Sequence, residues 1–120
     1  MPLASAGRRA RAHRSRRHAD DVVFKALADP TRREILGLLR GGQRSVGEIA
    51  GNFRISRPAV SKHLRMLRDA GLVHDRAEGT STMCSLNPAP LRQVETWLSD
   101  YTAFWTHNLA ALKAHVEKST

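Results

Sequence analysis

The chain has 120 residues, enough for one domain, and its 20 Lys and Arg outnumber its 11 Asp and Glu, which gives a formal charge of +9. This positive charge favours a polyanionic partner, either nucleic acid or an acidic membrane surface. The single cysteine rules out an intramolecular disulfide. The sequence shows neither a secretory leader nor an apolar run of the ~20 residues that a membrane span needs, so we expect a cytoplasmic protein.

Residues 1–19 differ in composition from the rest of the chain. They contain six Arg and no acidic residue, and so supply six of the nine net positive charges. A segment with so few apolar residues cannot form a core, and we expect a disordered arm ahead of a folded domain at 20–118. Two interpretations stay open: an arm that follows the DNA backbone or enters a minor groove, or an extension without a role.

The first predicted helix covers residues 20–28. Its apolar side is formed by Val23, Phe24 and Leu27. The helix ends before Pro30, because the residue that precedes a proline avoids the helical conformation.

A second helix is predicted from Pro30 to the glycine pair at 41–42. Three leucine and isoleucine side chains, at 35, 38 and 39, are expected to face inward. The residues expected to face outward are Thr31, Arg32, Arg33 and Glu34. Among these, Thr31 and Arg32 are weak candidates for phosphate contacts.

Two capped helices follow in close succession. Ser45 and Glu48 have the spacing of a capping box at the start of the third helix. Ser56 is a suitable N-cap for the fourth helix, with Pro58 in its first turn. Two helices joined by about four residues, the second one basic, predict a helix-turn-helix.

The fourth helix has the most specific pattern in the chain. Val60, Leu64 and Leu67 form one apolar stripe, and Gly71 predicts a left-handed C-terminal cap. Its other face is basic and suits the major groove, where cations meet phosphates and Ser or Arg side chains reach base edges. The predicted DNA-binding residues are Ser45, Ser56, Arg57, Ser61, Lys62, His63, Arg65 and, in the next element, Arg76. The alternative is a solvated basic face, and for His63 a packed histidine.

Residues 72–86 alternate imperfectly between apolar and polar types, which predicts a β-hairpin with strands near 72–77 and 81–86. In this hairpin, Arg76 either contacts DNA or pairs with a neighbouring acid such as Glu78. The lone Cys84 fits a small buried hydrophobic residue better than a redox switch.

The last predicted helix starts near Pro88 and Pro90 and carries an apolar stripe over some 25 residues, longer than the ~11 of an average helix. This surface exceeds what one small domain needs, so we expect the same helix of a second subunit to cover it. The predicted dimer interface consists of Phe24, Leu27, Leu98, Tyr101, Trp105, Leu109 and Leu112. The alternative is a helix that folds back on its own domain.

From about residue 20 to 87 the chain resembles the ArsR/SmtB family of winged helix-turn-helix repressors. The matching segments are FKALADPTRREILGLL at 24–39, SVGEIAGNFRISRPAVSKHLRMLRDAGLV at 45–73 and RAEG at 76–79. The resemblance implies a mainly α fold with a small β-hairpin. It also implies a homodimer joined by its first and last helices, and repression from an inverted-repeat operator that a ligand releases in many members.

The metal-sensing motifs of that family are missing here. No Cys lies between residues 45 and 64, and the last helix offers Asp100, His107, His115 and Glu117 outside the family's spacing. We therefore predict no metal site and no cofactor, and the inducer is unknown. A metal- or redox-responsive repressor stays an alternative.

No Gly-rich phosphate loop, nucleophile elbow or HExxH motif is present, which argues against an enzyme. The sequence therefore predicts a transcriptional regulator, most simply a repressor, that binds double-stranded DNA as a homodimer. A winged-helix module that binds only protein or RNA is the other alternative.

Overall fold

The computed structural model describes residues 20–119, so the predicted arm at 1–19 lies outside the described residues. Within 20–119 the fold is mainly helical with one small sheet. Helix α1 is described over 20–27. The elements that follow are α2 (Pro30–Arg40), β1 (Arg44–Ser45), α3 (Val46–Gly51), α4 (Arg57–Asp69), β2 (Val73–Glu78), β3 (Ser81–Leu86) and α5 (Leu91–Ser119).

The hairpin that the sequence predicts is confirmed, with strand bounds within one residue of those expected. Val73 pairs with Leu86 at its open end and Glu78 pairs with Ser81 at its turn, where Gly79 has a φ of +61°. Strand β1, which the sequence pattern does not predict, pairs with β3 on the other side and makes the sheet three-stranded in the order β1-β3-β2. A two-residue strand is too short to show an alternating pattern.

The core lies where α2, α3 and α4 meet the buried side of the sheet. Its fully buried members come from every one of these elements and include Ile35, Ile49, Val60, Leu67, Leu72 and Cys84. Non-directional burial of this kind holds the three helices together, and it leaves the opposite face of α4 in solvent.

Local sequence signals set the helix ends as predicted. The backbone N–H of Glu48 donates to Ser45 Oγ at 3.0 Å, and the N–H of Ser45 donates to Glu48 Oε1 at 3.2 Å, which completes the capping box. Ser56 Oγ accepts from the N–H of Ala59 at 3.2 Å and caps α4. Gly71, with a φ of +76°, follows the last turn of α4 in the left-handed conformation.

The prediction that Arg32 faces outward is wrong. Arg32 is only 9% exposed, and the buried residues of α2 are Arg32, Ile35, Leu36 and Leu39. These positions follow the i, i+3, i+4, i+7 pattern of one helix face, so Leu36 takes the buried place expected for Leu38. Arg32 is buried because its guanidinium hydrogen-bonds the carbonyl groups of Ala26 and Lys25 in the last turn of α1, where the regular helical hydrogen bonds end.

Helix α5 contacts the rest of the chain through its first turns and α1. Leu91 and Val94 pack against the core, and the Trp97 ring meets Phe24 edge-on with centroids 5.5 Å apart. From Glu95 to Lys118 the side chains are exposed, so the alternative in which this helix folds back on its own domain is wrong. Among the helices described, none is both long and apolar enough to cross a membrane.

Cys84 is a buried residue of the central strand, as the sequence favours. Its thiol is fully buried and donates to Asp75 Oδ1 at 3.4 Å. Burial, and then this hydrogen bond, raise the pKa of Cys84 to about 12. The group is therefore a protonated thiol at neutral pH, and a thiol is a poor nucleophile.

We therefore expect Cys84 to resist a water-soluble disulfide reagent in the folded protein and to react fully after unfolding in guanidinium chloride. The measurement is the absorbance of the released thiolate at neutral pH, with Cys84→Ala as the blank. Rapid reaction of the folded protein would contradict burial of the Cys84 thiol and would favour the alternative of a redox-responsive repressor.

Candidate nucleic-acid interface

The solvent face of α4 presents a row of polar and cationic side chains. Arg57, Ser61 and Arg65 are spaced by four residues and therefore lie along one side of the helix, with Lys62 next to them. All four are exposed. The opposite side carries the buried apolar stripe, so burial of that stripe determines which residues remain outside.

A polar cleft of about 360 Å³ lies beside the start of this row. The first turns of α3 and α4 and the tip of the hairpin form its walls. Its lining residues are Ser45, Val46, Gly47, Arg57, Ser61, Thr80, Ser81 and Thr82. The Arg57 guanidinium lies over the start of α3, where a β-carbon at Gly47 would be 3.9 Å from Nη2. The cleft thus combines one guanidinium with several hydroxyl groups, which are suitable donors for a phosphate.

The charges of the hairpin are largely paired within the domain. Arg76 Nη2 donates to Glu78 Oε2 at 3.0 Å and to Gln43 Oε1 at 3.3 Å. Asp75, one residue earlier, forms an ion pair with Arg68 of α4. Arg76 is still 63% exposed, but the acid partner that the alternative interpretation expects is present.

His63 lies on the side of α4 that faces the start of α2. It is partly buried, and its Nδ1 is 3.3 Å from Arg32 Nη1 and 3.8 Å from Asp29 Oδ2. Asp29 caps α2 by accepting from the backbone N–H of Arg32 at 3.0 Å, and this hydrogen bond lowers the pKa of the Asp29 carboxyl. The surroundings expected for a packed histidine are thus present.

The structure brings part of the predicted site together. Ser45, Arg57 and Ser61 line the cleft, and Lys62 and Arg65 continue along α4. The remaining members, Ser56, His63 and Arg76, each make a contact within the domain. Thr82 also lines the cleft but was not among the predicted residues, because its place depends on the hairpin register, with Thr82 opposite Ala77.

The residues of the predicted dimer interface are distributed along α1 and α5. Phe24 and Leu27 are partly buried, whereas the members on α5 are exposed: Leu98 36%, Tyr101 48%, Trp105 46%, Leu109 62% and Leu112 59%. Over the described part of the chain, no three His, Cys, Asp or Glu side chains come close enough together to hold a metal ion.

Comparison with known proteins shows where this arrangement occurs. The sequence pattern described as bacterial regulatory protein, arsR family, matches residues 29–75, from the N-cap of α2 into β2. The transcriptional repressor SdpR of Bacillus subtilis is 43% identical over 79 residues, which are 66% of this chain and 88% of that protein. The HTH-type transcriptional regulator Rv2034 of Mycobacterium tuberculosis is 45% identical over 74% of this chain and 80% of its own length.

Solved structures agree with the sequence comparison. The crystal structure of an ArsR family transcriptional regulator superposes with a TM-score of 0.68 and 35% identity, covering 74% of this chain and 92% of that chain. An ArsR-like transcriptional regulator from Rhodococcus sp. RHA1 gives a TM-score of 0.63 and 34% identity over 81% and 92%. The chain belongs to the ArsR family of bacterial regulatory proteins, whose winged helix-turn-helix members are DNA-binding transcriptional regulators and not enzymes.

Proposed function

We propose that this protein is a repressor that binds an inverted-repeat operator as a homodimer, with α4 of each protomer in the major groove. The observation that carries the proposal is the exposed row Arg57, Ser61 and Arg65 with Lys62, placed beside a cleft lined with hydroxyl groups. A helix with cations and short polar side chains on one face offers both phosphate and base contacts.

Each residue of the row has a proposed role. Arg57 and Arg65 contact guanine through the two donors of a guanidinium, worth about 1–3 kcal/mol of discrimination for each well-placed pair. Lys62 contacts a phosphate as a point charge, and Ser61 donates to a base edge or a phosphate. Ser45 and Ser56 accept a backbone N–H as caps, so their hydroxyl protons remain available to the DNA backbone.

Arg76 contributes less in this proposal than the sequence suggests. Its guanidinium is held by Glu78 and Gln43, so a phosphate contact would replace interactions that already exist. The hairpin tip, with Thr80, Ser81 and Thr82 at the cleft, contacts the backbone mainly through hydroxyl groups.

The dimer is proposed from the surface of α5. Large apolar side chains are exposed along its length, from Trp97 at 50% to Val116 at 54%, and Phe104 reaches 72%. An apolar surface this extended on a water-exposed helix is typical of an interface between subunits. Phe24, in edge-on contact with Trp97, joins α1 to the same surface.

We propose that the protein represses transcription and does not activate it. The Bacillus subtilis relative is named a transcriptional repressor, and a dimer that occupies a promoter blocks it by occupancy alone. We also propose a cytoplasmic location for this regulator.

Selection of bound duplexes from a random DNA pool tests the proposal directly. We expect the wild-type protein to enrich an inverted repeat whose half-sites lie ~34 Å apart, or a multiple of one helical turn. Enrichment of a single half-site would contradict the dimer. Failure to enrich any duplex, with salt-resistant binding to a protein partner, would support the module that binds only protein.

Substitutions on α4 identify the residues that read the selected duplex. Arg57→Ala should cost about 1–3 kcal/mol of binding free energy and relax the preference at one base, whereas Lys62→Ala should weaken all duplexes alike. The measurement is fluorescence anisotropy at fixed salt, and Arg92→Ala, an exposed cation of α5, is the control. Unchanged occupancy for the folded double variant Arg57→Glu, Lys62→Glu would overturn the proposed site.

A charge on the exposed stripe of α5 tests the proposed dimer. We expect the wild type to sediment as a dimer at micromolar concentration, and Leu109→Glu to sediment as a folded monomer with weakened operator binding, because a buried unpaired carboxylate opposes association. Lys113→Ala, on the same helix and 79% exposed, should remain dimeric. A wild-type monomer at that concentration would rule out the α5 interface.

Deletion of residues 1–17 tests the arm. If the arm follows the DNA backbone, affinity falls for all sequences and the slope of log K against log salt drops by up to about 5, since each phosphate contact contributes ~0.9. Replacing the six Arg by Gln is the matched control for chain length. An unchanged salt slope would support the interpretation of an extension without a role.

A further inference from the structure

Arg32 and His63 form a contact between α2 and α4. The proposed DNA contacts of the exposed row on α4 give this contact no role. We infer that this pair is a positioning device, which sets the orientation of α4 relative to α1 and thereby the spacing between the two α4 helices of a dimer. The inference rests on the proposed function, because it assigns a role within the same DNA-binding dimer.

The Arg32 guanidinium is fixed at its α1 end. Nε donates to the carbonyl of Ala26 at 2.7 Å and Nη2 donates to the carbonyl of Lys25 at 2.9 Å. These carbonyl groups belong to the last turn of α1, which carries partial negative charge, and that of Lys25 also accepts from the backbone N–H of Ala28 at 3.3 Å. With Arg32 only 9% exposed, the guanidinium has little freedom to move independently of α1.

The remaining nitrogen of this guanidinium reaches α4. Arg32 Nη1 lies 3.3 Å from His63 Nδ1, and because a guanidinium only donates, a hydrogen bond between them has Nδ1 as the acceptor. Asp29 Oδ2, at 3.8 Å from the same nitrogen, is too far for a hydrogen bond and accepts instead from the backbone N–H of Arg32. The inferred hydrogen bond therefore requires a His63 ring whose Nδ1 carries no proton.

The contact between Arg32 and His63 is directional and restricts rotation of α4 about its axis, which the apolar core does not. Val60, Leu64 and Leu67 hold α4 by apolar burial, which has no directional preference and tolerates small rotations of the helix about its axis. The bond to His63 opposes such rotations, and His63 directly follows Lys62 of the exposed row. A turn of α4 about its axis would move this row relative to the DNA.

The same contact links the position of α4 to that of the proposed dimer interface. Arg32 is anchored on α1, and α1 packs through Phe24 on Trp97 of α5. In a dimer held by α1 and α5, the orientation of α4 relative to α1 determines how far apart the two α4 rows lie. The pair thus acts on half-site spacing without itself contacting DNA.

Two polar substitutions at His63 separate positioning from direct DNA contact. Asn places an oxygen near the position of Nδ1 and keeps the acceptor for Arg32, whereas Gln places its polar group near Nε2 and loses that acceptor. We expect His63→Asn to bind the duplex selected by the wild type with nearly unchanged affinity. His63→Gln and His63→Leu should each weaken binding by about ten-fold, the size expected for loss of a hydrogen bond to a charged group.

The readout specific to positioning is half-site spacing. Each variant is titrated with the selected duplex and with the same duplex carrying one inserted base pair between half-sites. His63→Gln and His63→Leu should lose about ten-fold of the wild-type preference for the native spacing, and His63→Asn should retain it. Equal affinities for all variants, or strong binding by Gln with weak binding by Asn, would overturn the inference, since the latter pattern indicates direct contact through Nε2.

A measurement without DNA keeps the inference separate from the proposed function. Nitrogen-15 NMR of the histidine rings in the free protein, at mildly alkaline pH, should show His63 as the neutral ring protonated on Nε2. A ring protonated on Nδ1 would remove the bond from Arg32 and with it the positioning pair. If random-pool selection enriches no duplex, the proposed function fails, while the ring measurement still decides whether the contact exists.

Discussion

The structure depends on the division of α4 into a buried apolar side and an exposed polar side. Val60, Leu64 and Leu67 lie against the residues of α2 and α3, and this burial supplies most of the free energy that holds the helix in place. Caps at Ser56 and Gly71 then determine where the helix begins and ends. With the buried side and the two ends of α4 fixed, the face that carries Arg57 and Arg65 points into solvent.

Much of this arrangement can be read from short segments of sequence. Capping residues and the glycine after α4 act within four residues of chain, so their signals are local, and both caps occur as predicted. Arg32, β1 and Thr82 could not be placed in this way. Arg32 is buried by carbonyl groups of another helix, β1 exists only through pairing with β3, and the place of Thr82 follows from hairpin register. Each of these depends on a partner distant in sequence or across a turn.

The distribution of charge divides the work of binding a polyanion unequally. Six of the nine net positive charges belong to residues 1–19, and the hairpin offers Arg76 already paired with Glu78. Within the described domain, α4 combines exposed cations and a hydroxyl group on one face, beside the hydroxyl groups of the cleft. If the arm follows the DNA backbone as proposed, long-range electrostatic attraction and the contacts that distinguish bases come from different parts of one chain.

The capping geometry also has a consequence for how such regulators diverge. Ser45 and Ser56 hold backbone groups at helix starts, and His63 contacts a buried guanidinium, so we expect changes at these positions to alter the fold itself. The side chains of Arg57, Ser61 and Arg65 lie outside the core, where substitutions usually change stability by no more than about 0.5 kcal/mol. If these three residues read the operator as proposed, a duplicated gene acquires a new target sequence through changes at three surface positions while its scaffold stays intact.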